Sequence, residues 1–346
     1  MGYTENLLTS IRTQIDAHPD ALAEARTRTR LVRDLAQQNT YGALRTYGSG
    51  SLSQHTQNHP INDGDAGLVL NRVYYPKLGP EGGGEPPDEV VSALCLQLGP
   101  AVRETYPRAK CGRSKRGPKI TFGAPIDGQD PSVDIIVALT RKEESGLWIP
   151  NLERGNWEAS HPEQHTNLLN TEPRSLRTTR RKVIRLLKAW NKQFAVPAFS
   201  SFHLSTLALE FAEQGQGVPM ALLTVFEKTA VRTAKHEATK DPAGVSANIK
   251  LLGDWNAARL RMDAAARNLR DALEHDDDQI VVHKALANLF HKYIEAPDEL
   301  SSLITALQPR ITVGTSALGL GGAGLVVATR AYGHHGYLSR RPPEQG

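Results

Sequence analysis

The sequence predicts an α+β protein, a mixed β-sheet with helices followed by a C-terminal helical domain, and three observations carry that expectation. Strand-like apolar runs are confined to the first half of the 346 residues. Beyond about residue 172 the apolar residues recur at helical spacing without strong strand candidates. A loop heavy in Gly and Pro, LGPEGGGEPPD, interrupts the first half only. The expected division is a mixed domain with an N-terminal helix over 1–172, a helical domain over 173–300 and a Gly-rich tail over 301–346.

In chain order, the amino terminus starts helical, and DALAEARTRTRLVRDLAQQN, about residues 20–38, reads as a helix rich in Ala, Leu and Arg. A Gly-Ser turn follows at Gly48 and Ser49, then DGDAGLVL as a strand. Asp88 suits a cap for a helix running to about Glu104. KITFG near Lys119 and VDIIVAL from Val133 to Leu139 are β-branched strand candidates separated by the turn-rich APIDGQDPS. In the second half, helices are expected from about 174 and near 203–213, 219–236, 245–274 and 280–294. In the first of these, Leu176, Val183, Leu187, Trp190 and Phe194 make an apolar stripe, flanked by a basic stripe of Arg177, Arg181, Arg185, Lys188 and Lys192.

Composition excludes several classes. Two cysteines, Cys95 and Cys111, supply neither a disulfide framework nor a four-cysteine zinc site, so a reducing, cytoplasmic compartment is expected. The amino terminus lacks a basic region followed by an apolar one, hence no secretory signal is expected. Ile311 to Thr329 is uncharged for 19 residues, but its glycines and hydroxyls make it weakly hydrophobic, and a tail is expected rather than a membrane span or stable membrane association. The formal G-x-G-x-x-G within it lacks the strand, helix and acid that the dinucleotide fingerprint needs. Neither a G-x-x-x-x-G-K-[ST] loop nor a G-x-S-x-G elbow occurs.

The net charge is only +4, yet seven basic residues stand against one acid from Arg103 to Lys119, and eight against none from Arg174 to Lys192. Such runs form solvated faces or meet polyanions such as nucleotides and RNA.

The chemistry centres on Asp63 and Asp65. Strand alternation points both to one side while Gly64 points away. Carboxylates that close repel unless a hard cation such as Mg²⁺ sits between them. Asp-Gly is also a common turn pair, but Asp134 inside an apolar strand is a third carboxylate where an aliphatic side chain is usual. Three carboxylates on neighbouring strands suit two divalent ions about 4 Å apart, the arrangement used in phosphoryl transfer. Gly48 and Ser49 allow backbone N–H groups to approach a phosphate, or form a plain turn. His161 and His165 in H-P-E-Q-H miss the H-E-x-x-H zinc spacing, and Pro162 argues against a regular helix, so a structural role is expected for both.

On GSGSLSQHT with DGD, VDIIVAL, Trp157 with HPEQH, VIRLLKAWNKQF, FSSFHLSTLALE and DPAGVSANI, the chain resembles the nucleotidyltransferases with a DNA-polymerase-β-like fold. Within them it looks like the bacterial relatives of cyclic GMP-AMP synthase and oligoadenylate synthetase (CD-NTases) used in antiphage signalling, over most of residues 40–295. The resemblance implies a polymerase-β-like core whose Asp63, Asp65 and Asp134 hold two Mg²⁺ ions, with Mn²⁺ as an alternative. It implies that Asp134 helps deprotonate the attacking hydroxyl, that Gly48 and Ser49 hold the triphosphate, that Lys188 and Ser201 contact phosphate and that Phe202 stacks on the base. On residue pattern alone Phe202 reads rather as a core aromatic. Expected substrates are nucleoside triphosphates, ATP or GTP among them; a regulatory protein partner is compatible with this reading. The rival readings are a toxin or tRNA-modifying transferase with RNA at Arg103 to Lys119, and a catalytically silent nucleotide-binding module. The resemblance departs at His55, which stands where the family's glycine precedes the threonine.

Overall fold

The structure is a computed structural model that describes residues 2–295. The tail expected over 301–346, with its uncharged stretch, lies outside the described residues.

Helices α1 (Tyr3–Gln14) and α2 (Pro19–Asn39) precede strand β1 (Ala43–Ser49), the single-turn α3 (Gly50–Gln54) and strand β2 (Asp63–Leu70). Helix α4 (Asp88–Arg103) leads into β3 (Lys110–Ser114), β4 (Gly117–Thr121), β5 (Ser132–Thr140), β6 (Leu147–Asn151) and β7 (Asn156–Ser160). Helices α5 (Pro162–Asn170), α6 (Arg174–Lys192), α7 (Ser201–Phe211), α8 (Val218–Ala234), α9 (Trp255–Glu274) and α10 (Gln279–Leu289) complete the described chain.

The seven strands form one mixed sheet in the order β1-β2-β5-β4-β3, with β6 paired to β5 and β7 to β6. Only β2 and β5 run parallel; the other pairs are antiparallel. Alternation sorts the central strands. Ala66, Leu68 and Leu70 of β2 and Val133, Ile135, Val137 and Leu139 of β5 are buried against α2 and α4, with Val32, Leu94 and Leu98 among their partners. The intervening residues, Asp63, Asp65 and Asp134 included, take the opposite face. Arg28 of α2, fully buried, pairs with Glu24 of its own helix at 2.8 Å and ties this core to the turn before β5 through Asp130 at 2.6 Å and the Pro131 carbonyl at 2.9 Å.

A second core lies among α6 to α10, built around Trp190, whose ring meets Phe194 at 5.3 Å and Phe226 at 5.1 Å. Trp190 and Phe226, the two that are buried, each contribute on the order of 2–3 kcal/mol by leaving water. Leu8 and Ile11 of α1 belong to this helical core, so the N-terminal helix packs with the second half of the chain and not with the sheet that follows it.

Several local expectations need correction. Pro162 does not prevent a helix: it occupies the first turn of α5, where its missing N–H would have no partner anyway. Asp88 is the first helical residue of α4, after Pro87 as cap, and makes no side-chain cap bond; its carboxylate pairs with Arg113 at 3.3 Å instead. The helix expected from 245 begins at Trp255, because Asp254 caps it there by accepting from the Ala257 N–H at 3.0 Å. Strands β1, β3, β6 and β7 were not expected from pattern; each is short and defined by its partner strand.

Candidate active site

The site is built first by strand register. Ser49 at the end of β1 pairs with Asp65, Asp65 pairs with Asp134 across the parallel ladder, and Asp134 pairs with Lys119 of β4. One row of four polar side chains therefore crosses four strands on the face away from α2 and α4, with steps of about 4.8 Å. Asp63 lies one pleat before Asp65 on the same face, opposite Ser132. Gly64 points to the other side, towards Thr29 and Leu52.

The turn that follows β1 is fitted to this row. Gly50 has φ +65°, and a Cβ there would overlap the Asp65 carboxylate, so a side chain is disfavoured by both backbone and space. The five-residue α3 then ends at His55, which adopts the left-handed conformation at φ 57°. His55, where the resemblance led to the expectation of a glycine, bears the modest strain of that conformation itself.

Among the three carboxylates, Asp65 is the one most affected by its surroundings. Burial first, then the charges of Asp63 and Asp134, push the Asp65 carboxyl up to about 6. Lys119 Nζ lies 3.2 Å from Asp134 Oδ2 and offsets part of that charge. Hard oxygen donors on one face, repelling each other until charge is supplied, fit a divalent cation such as Mg²⁺. The acidic group whose ligand atoms already lie within 4.8 Å of one another among the described residues is a different one, the exposed His18, Asp20 and Asp127. Asp134 is turned to Lys119, and the three site carboxylates stand further apart.

The second half supplies the opposite wall. The basic stripe of α6 faces the loop after α3: Lys188 Nζ donates to the Thr56 carbonyl at 3.1 Å and Oγ1 at 3.2 Å. Arg185 holds Asn58 Oδ1 at 3.1 Å and Asp16 Oδ1 at 2.7 Å, and Arg181 holds Asn170 Oδ1 at 2.8 Å. Lys188 is buried, which lowers its ammonium to about 8 with help from Lys192, against the opposing pull of Asp63 and Asp65.

Between these walls lies a cavity of about 450 Å³ lined by Ser49, Gly50, Asp63, Asp65, Lys188, Lys192, Ser201 and Phe202 among others. A wider groove of about 860 Å³ adjoins it and shares Ser49, His165 and Phe202. Seven of the eight residues singled out from the sequence thus gather at or beside one cleft. Gly48 stands back, packed against Ser53; Asp134 lies in the polar row rather than on the cavity wall. Phe202 is 38% exposed, and so is a cleft residue and not a core aromatic. Ser200 caps α7 by accepting from the His203 N–H at 3.1 Å, which sets Ser201 and Phe202 on the first turn facing the cavity.

Both histidines make structural contacts. His161 Nδ1 accepts from the Gln164 N–H at 3.3 Å and caps α5. His165 Nε2 meets Asp241 Oδ1 at 2.5 Å, joining α5 to the loop between α8 and α9. Sequence reasoning missed Lys119 and the place of His165 on the cleft; the register of β4 with β5 and the chain-distant Asp241 decide them. Four of the seven basic residues from Arg103 to Lys119 are paired with acids: Arg113 with Asp88, Lys115 with Glu153 at 2.6 Å, Arg116 with Glu158 at 2.7 Å and Lys119 with Asp134. Among the described residues no helix is long and apolar enough to cross a membrane.

A mixed sheet bearing Asp-x-Asp and a third strand aspartate, faced by a basic helix across a cleft, defines the nucleotidyltransferase fold of the CD-NTases. Solved structures agree. CdnC of Escherichia coli MS115-1 with ATP matches over 86% of this chain and 99% of its own, with TM-score 0.64 and 14% identity. The CD-NTase CdnG of Bradyrhizobium diazoefficiens in complex with GTP matches over 84% and 96%, with TM-score 0.62 and 16% identity. The DncV cyclic AMP-GMP synthase of Vibrio cholerae, in complex with the linear intermediate 5′ pppA(3′,5′)pG, matches over 72% and 69%, with TM-score 0.51 and 16% identity. No protein-family model matches the sequence, and no curated protein matches it.

Proposed function

We propose that the chain is a Mg²⁺-dependent nucleotidyltransferase that joins nucleoside triphosphates into a cyclic or short linear oligonucleotide signal, in the defence setting where the resembling bacterial enzymes act. The observation that carries this reading is the row Ser49-Asp65-Asp134-Lys119, whose Ser49 and Asp65 end, with Asp63, lines a cavity that also holds Lys188, Ser201 and Phe202. Its volume of about 450 Å³ lies in the range of small-ligand sites. The neighbouring structures hold ATP, GTP or a linear dinucleotide, which supports a nucleoside triphosphate as ligand.

In this reading an acceptor ribose hydroxyl attacks the α-phosphorus of a donor triphosphate, a new P–O bond forms, and the bond to pyrophosphate breaks. Two Mg²⁺ ions held by Asp63, Asp65 and Asp134 would neutralise phosphate charge and acidify the attacking hydroxyl. Asp134, hydrogen-bonded by Lys119, takes part of that hydroxyl's proton. Ser49 borders the triphosphate with Gly48 behind it against Ser53, Lys188 and Ser201 hydrogen-bond the phosphates, Lys192 adds charge, and Phe202 carries the base. Two walls fixed by separate cores hold the reactants in line, and positioning supplies most of the rate.

The test is incubation of the purified chain with labelled triphosphates and Mg²⁺, with and without RNA, followed by chromatography and mass spectrometry. Pyrophosphate release with an oligonucleotide product in the absence of RNA is expected. Label entering RNA only would move the acceptor to RNA, and no transfer under either condition would overturn the reading.

A further inference from the structure

The pair formed by His165 and Asp241 is more than a strut between α5 and the loop after α8. Burial raises the Asp241 carboxyl, but the N–H groups of Ser246 at 2.7 Å and Val245 at 3.0 Å, together with His165, outweigh it and hold the acid below its usual range. Asp241 is therefore an ionised acceptor, so the His165 Nε2 beside it at 2.5 Å carries the hydrogen. Burial keeps the ring itself neutral by lowering its basicity against the pull of Asp241. A neutral imidazole with its hydrogen on Nε2 leaves Nδ1 as an acceptor.

That nitrogen has no protein partner among the described residues, and it is not among the enclosed polar atoms that lack one. It opens on solvent at the cleft. The ring borders both cavities, sharing that position with Ser49 and Phe202 only. Ser49 is the register partner of Asp65, and the Phe202 ring lies 4.8 Å from the His165 ring, centroid to centroid, at a 50° tilt. On the nucleotidyltransferase reading, on which this inference rests, a base on Phe202 leaves its sugar between that ring and the polar row. The junction of the two cavities is then a ribose position, and a ribose offers hydroxyl hydrogens to an acceptor.

We propose that His165 is a sugar-reading residue: its Nδ1, oriented by Asp241, accepts a hydrogen bond from a ribose hydroxyl of the bound nucleotide and selects ribonucleotides over their deoxy forms. The arrangement makes two polar demands. The ring cannot rotate to donate without losing Asp241, and a deoxy sugar seated over Nδ1 displaces water from that acceptor without offering a hydrogen in its place.

Binding of ATP and GTP, each with its 2′-deoxy and 3′-deoxy analogues, is measured by calorimetry in Mg²⁺ for the wild-type chain, His165→Gln and Asp241→Asn. The glutamine amide keeps a donor for Asp241 but has no acceptor at the Nδ1 position, so a purely structural role predicts little change. In Asp241→Asn the amide N–H faces the ring and moves its hydrogen to Nδ1, turning the acceptor into a donor. The wild type is expected to bind the ribonucleotide roughly 5- to 10-fold more tightly than one of its two deoxy analogues. That ratio is expected to fall below about 2 in both variants. Equal wild-type affinity for all three sugars, or a ratio that survives in His165→Gln, would overturn the inference and leave the enzymatic reading standing. If the wild type binds none of the nucleotides, both fall. Should His165→Gln not fold, the wild-type series and Asp241→Asn decide.

Discussion

The sheet half and the helical half bring polar groups to one cleft by different means. In the sheet, Ser49, Asp65, Asp134 and Lys119 are aligned by backbone register, so each stands within one strand spacing of the next whatever its side chain does. In the helical half, Lys188 and Lys192 reach the cleft from α6 on long flexible stems, and Lys188 is held by groups of the other half, the carbonyl and hydroxyl of Thr56. Register fixes where charge sits, whereas reach lets charge adapt to what enters. A change in the row is accordingly expected to strike the chemistry itself, and a change on α6 to strike affinity.

The largest effect tests the row directly. Asp65→Asn is expected to lower turnover by about 10³-fold or more while leaving the Tm unchanged or slightly raised, because one of three mutually repelling carboxylates is removed. Burial and its two neighbours already push this carboxyl up to about 6, so the folded chain bears a cost for keeping it charged. Retained turnover in Asp65→Asn, with the fold verified by thermal melting, would break the contrast between the halves at its stronger side.

A smaller effect tests whether the row depends on the turn beside it. Gly50→Ala forces a Cβ onto the Asp65 carboxylate at a residue whose φ is +65°. The backbone strain alone costs about 1–2 kcal/mol. Displacement of the carboxylate is expected to add a loss of roughly 30-fold in kcat/KM. Equal kinetics in the two chains would mean that Asp65 has latitude that register does not give it.

How legible these features are in the sequence follows from the same contrast. Asp63, Asp65 and Asp134 can be read because a period of two assigns faces, and because a carboxylate amid β-branched residues is out of character. The α6 stripe can be read because a period of 3.6 separates Trp190 and Leu187 from Lys188 and Lys192. What depends on partners distant in the chain cannot. Strand β1 contains Arg45, Thr46 and Ser49 and exists because β2 lies beside it. His165 carries no mark of its cleft position, since Asp241, which orients it, comes 76 residues later. Lys119 belongs by pattern to a basic run, and only the register of β4 with β5 turns it towards Asp134. Pro162 misleads as a helix breaker because its meaning depends on being first in the helix.

The mildest change sharpens the helical side of the comparison. Lys188 is buried, with an ammonium lowered to about 8 chiefly by burial, and two of its three hydrogens are spent on Thr56. The third is left for a phosphate oxygen at the cavity it lines. Lys188→Met keeps most of the stem's volume and removes the charge, so KM for the triphosphate is expected to rise about 10-fold with kcat within about 2-fold. Stability should change by no more than about 1 kcal/mol, since the loss of the Thr56 contacts is offset by relief of a buried charge. The sign of the pH dependence follows from the lowered value: the amine is charged below about 8 and neutral above it. In the wild type KM should therefore climb as pH passes from 7 to 9, and in Lys188→Met it should stay flat over the same interval. A variant that loses kcat instead of affinity would show that α6 is held as tightly to the chemistry as the strands are, and that reach and register are not separable in this cleft.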